Sequence, residues 1–416
     1  IITSLDIFYL AYHNRYDDRL ILENLSSALS KVDGLVNKSF NKRQHIDSII
    51  KDNKIKLGIC SDYLCNHTIG QLFGNIIKDL SNREFHIVIF RGPNSKEDEI
   101  SISIDRSVDK SIKLPHSLRQ SCDLILKESL DILFYTDIGM SPHTYLLSLS
   151  RLAMVQVNSF GHPNTSGSKN IDYFISSYDT ETDNSDKYYT EKLIRFTRLP
   201  FNYSKPKIKN SEFRRQSLNL PKDSFLIGIP QSLFKFHPGY DYYLDKIMEE
   251  IPNAYLLIIK SRKEYENRIL QNRWKNNTKF ILDRTIFYER VKRDDFLEII
   301  KSVDIMLDTF YFGVGNTFYE SMAFGTPMIT MPTNLQRTRN AYAGYKQMGI
   351  KNPPVANTPD EYVSICKKLA NEQDYRDELK LEIKDKAEKF LFNDNMIFRE
   401  YEKFFKDAFN SAIENI

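Results

Sequence analysis

Three stretches of this 416-residue chain carry residues whose types and spacing could do chemistry. The longest is V-D-I-M-L-D-T-F-Y-F-G-V-G-N-T-F-Y-E-S-M-A-F-G-T-P-M-I-T-M-P, which reads as a strand, a glycine-containing loop, a helix and a second strand. Gly313, Gly315, Asn316 and Thr317 then fall where a helix N-terminus offers backbone N–H groups to an anion, so a phosphorylated ligand is expected there. Glu320 lies one turn inside that helix, on the side of Asn316. It could accept hydrogen bonds from the two hydroxyls of a ribose, or simply be an acid near the positive end of the helix. Lys235, in S-L-F-K-F-H-P after an apolar strand, can reach a pyrophosphate as a point charge; an ordinary surface lysine is the alternative.

The other two stretches carry histidines. S-D-Y-L-C-N-H-T-I-G puts Asn66, His67 and Thr68 between a strand and its helix, and M-V-Q-V-N-S-F-G-H-P-N-T-S-G puts His162, Asn164, Thr165 and Ser166 on a polar loop bounded by Gly161 and Gly167. Each histidine could accept a proton or hold a sugar hydroxyl near neutral pH. His143 in S-P-H-T-Y is a further candidate, with capping or packing as its other reading. Gly313-Val314-Gly315 is not a dinucleotide fingerprint, because Phe318 stands at the position of the third glycine and the loop follows a late strand of its half.

These residues need two α/β frames to hold them. The first starts with strand I-K-L-G-I-C-S-D from Ile55, a helix over 69–80 and strand F-H-I-V-I-F. After a polar stretch come a helix over 118–130, strand D-I-L-F-Y-T-D, a short helix over 145–152 and strand M-V-Q-V-N-S-F, with 172–176 as a further strand. A polar connection over 200–223 leads to F-L-I-G-I-P, a helix over 240–250, A-Y-L-L-I-I, an amphipathic segment around Leu270, strand F-I-L-D over 280–283, a helix over 293–301, D-I-M-L-D, the glycine loop with its helix, and P-M-I-T-M. Helices between apolar strands imply right-handed crossovers and mostly parallel sheets. Ligands of such sheets bind beyond the C-terminal strand ends, here in a crevice between the halves. Residues 1–50 read as helical through Leu20, Leu22, Leu25 and Leu29, and helices over 359–370 and from 374 to the end finish the chain, with Phe390, Phe392, Tyr401, Phe404 and Phe405 packing the tail.

Composition narrows the function. Lys+Arg 58 against Asp+Glu 55 leaves a net charge of +3, too small to point to a nucleic-acid partner. No apolar run approaches the roughly 18 residues a membrane span needs, so no membrane insertion is expected. Four cysteines without ligand spacing argue for a reducing compartment, and no metal site is expected. The chain opens on I-I-T-S-L-D without an initiating Met or an export signal, which suggests a piece of a longer, cytoplasmic protein.

Taken in order, D-Y-L-C-N-H-T-I-G, F-G-H-P-N-T-S-G-S-K-N-I-D-Y-F, Q-S-L-F-K-F-H-P and the block ending E-S-M-A-F-G-T-P-M-I-T-M-P resemble the catalytic region of the protein O-linked N-acetylglucosamine transferases. The similarity is greatest to the bacterial tetratricopeptide-associated branch, and it covers residues 56–352. It implies an α/β GT-B glycosyltransferase fold: two Rossmann-like lobes with an interlobe cleft and C-terminal helices. The implied domains are an N-terminal helical segment (1–54), an acceptor lobe (55–205), a UDP-sugar-binding lobe (206–385) and a helical tail (386–416). The implied activity is inverting transfer from a UDP-sugar, UDP-GlcNAc ahead of UDP-Glc, to a Ser/Thr hydroxyl of an acceptor protein or peptide. No permanently bound cofactor and no metal would be needed, and tetratricopeptide-like helices upstream would capture the acceptor.

Carried over by position, His67 sits on the acceptor and sugar side, with His162 on the second loop. Lys235 holds the pyrophosphate, Gly315, Asn316 and Thr317 face the phosphates, and Glu320 takes the ribose position where the animal enzymes have Asp. Arg293 and Phe296 stand where those enzymes show Lys and His near uracil; arginine keeps a polar contact, whereas phenylalanine only packs or stacks. G-H-P at 161–163 is also similar to the asparagine glucosyltransferases of bacterial adhesins. Asparagine glucosylation, a small-molecule GT-B transfer and a non-catalytic sugar-nucleotide or protein-binding module are the rival readings.

Overall fold

The computed structural model describes residues 6–13, 16–37, 39–41, 54–80, 84–392 and 394–414. Two units form. The first takes Tyr16–Ser204 together with the chain up to Leu10 and from Asp394 onward; the second takes Lys205–Asn393 together with Ala11–Arg15.

The first unit is built on β1 (Ile55–Ser61), β2 (Phe85–Arg91), β3 (Lys110–Lys113), β4 (Ile132–Tyr135), β5 (Val155–Ser159), β6 (Tyr173–Ser177) and β7 (Lys192–Phe196). They pair in the order β3-β2-β1-β4-β5-β6-β7, every pair parallel. The central strands are buried along nearly their whole length, as a sheet covered on both faces requires, so L-G-I-C-S and I-L-F-Y are continuous apolar runs rather than alternating ones. Helices start where side chains can hold the first N–H groups. Ser117 accepts from Gln120 N, and Ser141, with Pro142 in the first turn, accepts from His143 N. The C-terminal helix Met396–Glu414 returns to this unit and packs its aromatic face on the sheet, Phe405 against Phe85 and Phe134, and Phe404 against Tyr173.

The second unit holds β8 (Phe225–Gly228), β9 (Ala254–Ile259), β10 (Thr285–Tyr288), β11 (Ile305–Leu307) and β12 (Met328–Ile329), all parallel in the order β10-β9-β8-β11-β12. Each sheet therefore reverses its strand order once, between β1 and β4 and between β8 and β11. Chain leaving the C-terminal ends of those two strands diverges to opposite sides, which opens a crevice at each reversal.

Several sequence expectations are corrected. The polar stretch after β2 contains a helix, Glu99–Asp105, capped by Asp98, and the edge strand β3. The far edge strand β7 has no counterpart among the expected elements either. The strand expected over 280–283 starts later: Leu282–Arg284 form a 3₁₀ turn because the Arg284 guanidinium reaches back to the carbonyls of Ile251 (3.0 Å) and Pro252 (2.9 Å), and T-I-F-Y makes β10. The short helix expected over 145–152 is Pro142–Ser148. The tail is two helices, Gln373–Phe390 and Met396–Glu414, and Phe390 is exposed rather than packed. Near the N-terminus a 3₁₀ turn (Asp6–Tyr9) and helices Leu10–His13 and Arg19–Leu29 form; the part of the helical expectation over 42–50 lies outside the described residues.

Candidate functional site

At the reversal of the second sheet, the loop after β8 and the loop after β11 are tied together by one ammonium group. Lys235, on the 3₁₀ turn Leu233–Lys235, donates to the Gly313 carbonyl (2.8 Å) and to Gln231 Oε1 (2.9 Å), and its Nζ lies 4.9 Å from the centre of the Phe312 ring. The turn is anchored from behind: Arg273 donates to the Phe236 carbonyl (2.8 Å) and to the Asp241 carboxylate, which also accepts from Trp274 Nε1 (2.9 Å).

Asp308 organises the other loop. This buried residue follows β11 directly, and it accepts from Thr309 N (3.0 Å), Val314 N (2.8 Å) and Thr330 Oγ1 (2.8 Å). Gly313 leaves the Asp308 carboxylate its place, since a Cβ would stand a tight 3.0 Å from both of its oxygens. Its N–H donates to the Arg337 carbonyl (2.9 Å), and Asn340 Nδ2 donates to the Val314 carbonyl (3.0 Å), so the segment after β12 closes the back of the loop. Burial pushes the Asp308 carboxyl up; the Thr330 hydrogen bond and then Lys235 oppose this. Burial likewise pushes the Lys235 ammonium below the usual lysine range, against the pull of Asp308. The result is a desolvated cation beside a weakened anion, which gains strongly when a second anion arrives.

The helix Asn316–Phe324 begins at Gly315, which has no side chain to cap it, and a Cβ at Gly315 would meet nothing within 4 Å. Gly315, Asn316 and Thr317 thus sit at an approachable helix start, one loop from Lys235. Glu320 is 4% exposed and accepts from Arg293 Nη1 (2.9 Å), the first residue of helix Arg293–Ser302, so the two expected nucleoside contacts meet in an ion pair. Phe296 is part-buried on the same helix.

The first unit uses its reversal differently. Asp137, two residues past β4, accepts from Ser61 Oγ (3.0 Å) and Asp62 N (2.9 Å), while Ser141 Oγ bonds to the Asp62 carboxylate. Burial, with Asp62 next, raises the Asp137 pKa to about 7. Ser61 Oγ also accepts from Tyr63 N (2.9 Å), and the Tyr63 ring stacks on His67 (4.5 Å, 27°). His67 is half-buried, and desolvation, with Lys96 next, lowers its pKa, so it is neutral at pH 7 and able to accept a proton. His143 is likewise lowered by burial and its Nε2 is 3.2 Å from Ser121 Oγ.

The second histidine loop faces inward. Thr165 Oγ1 and Ser166 N bond to Glu191 (2.5 and 2.8 Å) and Asn164 Nδ2 to Asp18 (2.9 Å), which makes these side chains internal fasteners instead of ligand contacts. His162 is 4% exposed, edge-on to Phe8 (5.3 Å, 77°). Sequence reasoning missed Asp62, Asp137, Asp308, Thr330 and Arg337. One signal was present in two of them: an aspartate at the exit of an apolar strand, in F-Y-T-D and I-M-L-D, where a buried acid must have a local task. Among the described residues no group of three or more His, Cys, Asp or Glu is placed to hold a metal, and no helix is long and apolar enough to cross a membrane.

The profile of glycosyl transferase family 41 matches residues 14–202 and 208–400. The chain belongs to this family. It is similar to the probable UDP-N-acetylglucosamine–peptide N-acetylglucosaminyltransferase SEC of Arabidopsis thaliana, 23% identical over 76% of this chain and 33% of that protein. It is also similar to the UDP-glucose:protein N-beta-glucosyltransferase of Actinobacillus pleuropneumoniae serotype 5b, 26% identical over 60% of this chain and 40% of that protein. The chain thus spans well under half of these relatives. The structure of a mutant O-GlcNAc transferase from Thermobaculum terrenum superposes with a TM-score of 0.84 at 19% identity, covering 98% of this chain and 76% of that one. The family 41 chain therefore has the GT-B fold that the resemblance implied.

Proposed function

We propose that this chain is the catalytic part of an inverting glycosyltransferase that moves a hexose or N-acetylhexosamine, GlcNAc first, from a UDP-sugar to a Ser/Thr hydroxyl of an acceptor protein. The observation that carries this reading is the Lys235 ammonium bridging the two loops at the β8/β11 reversal, beside Asp308 and the open helix start at Gly315. The diphosphate lies over Gly315, Asn316 and Thr317, Lys235 neutralises it, and Glu320, oriented by Arg293, takes the ribose hydroxyls. Phe296 packs at the base edge.

In the displacement, the acceptor oxygen attacks the anomeric carbon from the face opposite UDP, the C–O bond to the β-phosphate breaks, and its electron pair leaves with UDP. Negative charge grows on the diphosphate, so groups that meet it in the transition state accelerate the reaction. The helix end supplies roughly 0.3–1 kcal/mol, whereas a charge-assisted hydrogen bond supplies about 1.5–3 kcal/mol, which makes Lys235 the larger contributor. The acceptor proton passes to His67, favoured over the interior His162 because it is half-buried and neutral.

Asparagine is the second acceptor to weigh, supported by the similarity to the Actinobacillus N-beta-glucosyltransferase. Mass spectrometry of peptides carrying Ser, Thr or Asn after incubation with UDP-GlcNAc or UDP-Glc decides between them. A hexosamine on Ser or Thr supports the main reading and a hexose on Asn the second. Tight UDP binding without transfer to any acceptor would leave a binding module.

A further inference from the structure

The loops that carry Lys235 and Gly313 share one more partner, and it comes from outside the second sheet. Tyr12, on the short helix Leu10–His13, lies close against Phe312 with the two rings tilted (centroids 4.2 Å, 30°) and meets Phe234 edge-on (4.7 Å, 73°). Phe312 directly precedes Gly313, whose carbonyl accepts from Lys235, and Phe234 directly precedes Lys235 itself. One ring therefore touches the residue before the donor and the residue before the acceptor of the bond that ties the two loops. Phe312 is in turn the ring beneath the ammonium. Ala11, beside Tyr12, is fully buried, and this stretch packs as part of the second unit although nearly two hundred residues separate it from the rest of that unit.

We propose that Tyr12 is a positioning residue for the leaving-group lysine: its ring wedges Phe234 and Phe312 so that Lys235 is held over the diphosphate before the donor arrives. The inference rests on the transfer reading above for its kinetic consequence, but its structural content, an ordered and shielded Lys235, stands apart from it. A flat ring is what the arrangement uses. The close tilted contact with Phe312 and the edge contact with Phe234 need an aromatic ring in one side chain, while the hydroxyl is dispensable for both. A residue that fixes a transition-state contact without touching the donor lowers kcat more than it raises the KM for the donor.

The test compares Tyr12→Ala, Tyr12→Leu and Tyr12→Phe with the parent, using two readouts. The first is acylation of Lys235 by a water-soluble amine-reactive ester without donor, followed by peptide mass spectrometry and normalised to an exposed lysine such as Lys263 in the same sample. It should rise roughly fivefold or more in Tyr12→Ala and Tyr12→Leu and stay at the parent rate in Tyr12→Phe. The second is transfer from whichever of UDP-GlcNAc and UDP-Glc the parent uses: kcat should fall roughly tenfold with donor KM changed less than about threefold, and Tyr12→Phe should recover it. Unchanged Lys235 acylation in both Tyr12→Ala and Tyr12→Leu overturns the proposal whether or not the protein transfers sugar. So does a Tyr12→Phe variant as impaired as Tyr12→Ala, which would make the hydroxyl the working part. If the parent shows no transfer while the acylation pattern holds, the transfer reading fails and the wedge remains.

Discussion

The two sheets place an aspartate at the same topological point and surround it with opposite charge. In the second unit Asp308, at the exit of β11, faces the Lys235 ammonium; in the first, Asp137, just past β4, faces the Asp62 carboxylate. The same strand reversal thus yields a site that gains on meeting an anion in one unit and a site that keeps a proton in the other. What differs is the loop after the unit's first strand, Q-S-L-F-K against S-D-Y-L-C-N-H. Parallel-sheet topology supplies the crevice, and a few residues of the neighbouring loop decide whether the buried aspartate meets a cation or a second carboxylate.

The most damaging change to this contrast is removal of the cation. Lys235→Ala should lower kcat/KM roughly 10²-fold or more with little loss of thermal stability, because an oriented electrostatic donor is lost; steady-state kinetics beside a melting curve checks both. Near-parent turnover would erase the distinction between the units. A smaller effect is expected from Asp308→Asn. Asp308 raises the Lys235 pKa against burial, so its neutralisation should move the alkaline limb of the kcat/KM profile to lower pH and cost about tenfold at about pH 8. An alkaline limb that stays in place would mean that Lys235 does not set it.

The gentlest change sharpens the other side. Asp137 has a folded pKa of about 7, above that of an unfolded aspartate, so the folded protein holds a proton between about pH 4 and 7 that the unfolded chain releases. Its contribution is present at low pH, is lost as pH rises through 7, and amounts to roughly 1–4 kcal/mol at most. Asp137→Asn, which keeps an oxygen for Ser61 Oγ and Asp62 N, should therefore lose less stability than the parent between about pH 5 and 8 in denaturant titrations. Parallel pH profiles for the two proteins would show that Asp137 is already ionised.

Much of this was legible in the chain, and the illegible parts share physical causes. The glycine loop, its helix and Lys235 could be read because a buried strand, a glycine turn and a helix start each leave a local pattern, and the crossover rule then gave both parallel sheets. The edge strand β3 could not: K-S-I-K is mostly exposed, with no apolar run to mark it. Arg284 displaced the start of β10 through contacts to Ile251 and Pro252, more than thirty positions away. The inward turn of Asn164, Thr165 and Ser166 was not legible either, because a polar side chain on a loop carries no sign of which way it points; Glu191 and Asp18 turn them inward.

Calorimetric titration of UDP into the parent and into Lys235→Ala tests the central claim most directly. A charge-assisted hydrogen bond of about 1.5–3 kcal/mol corresponds to a tenfold or greater loss of affinity, and the account predicts saturable binding to the parent that weakens by at least that factor in the variant. Absence of UDP binding to the parent, or equal affinity in the two proteins, would contradict it.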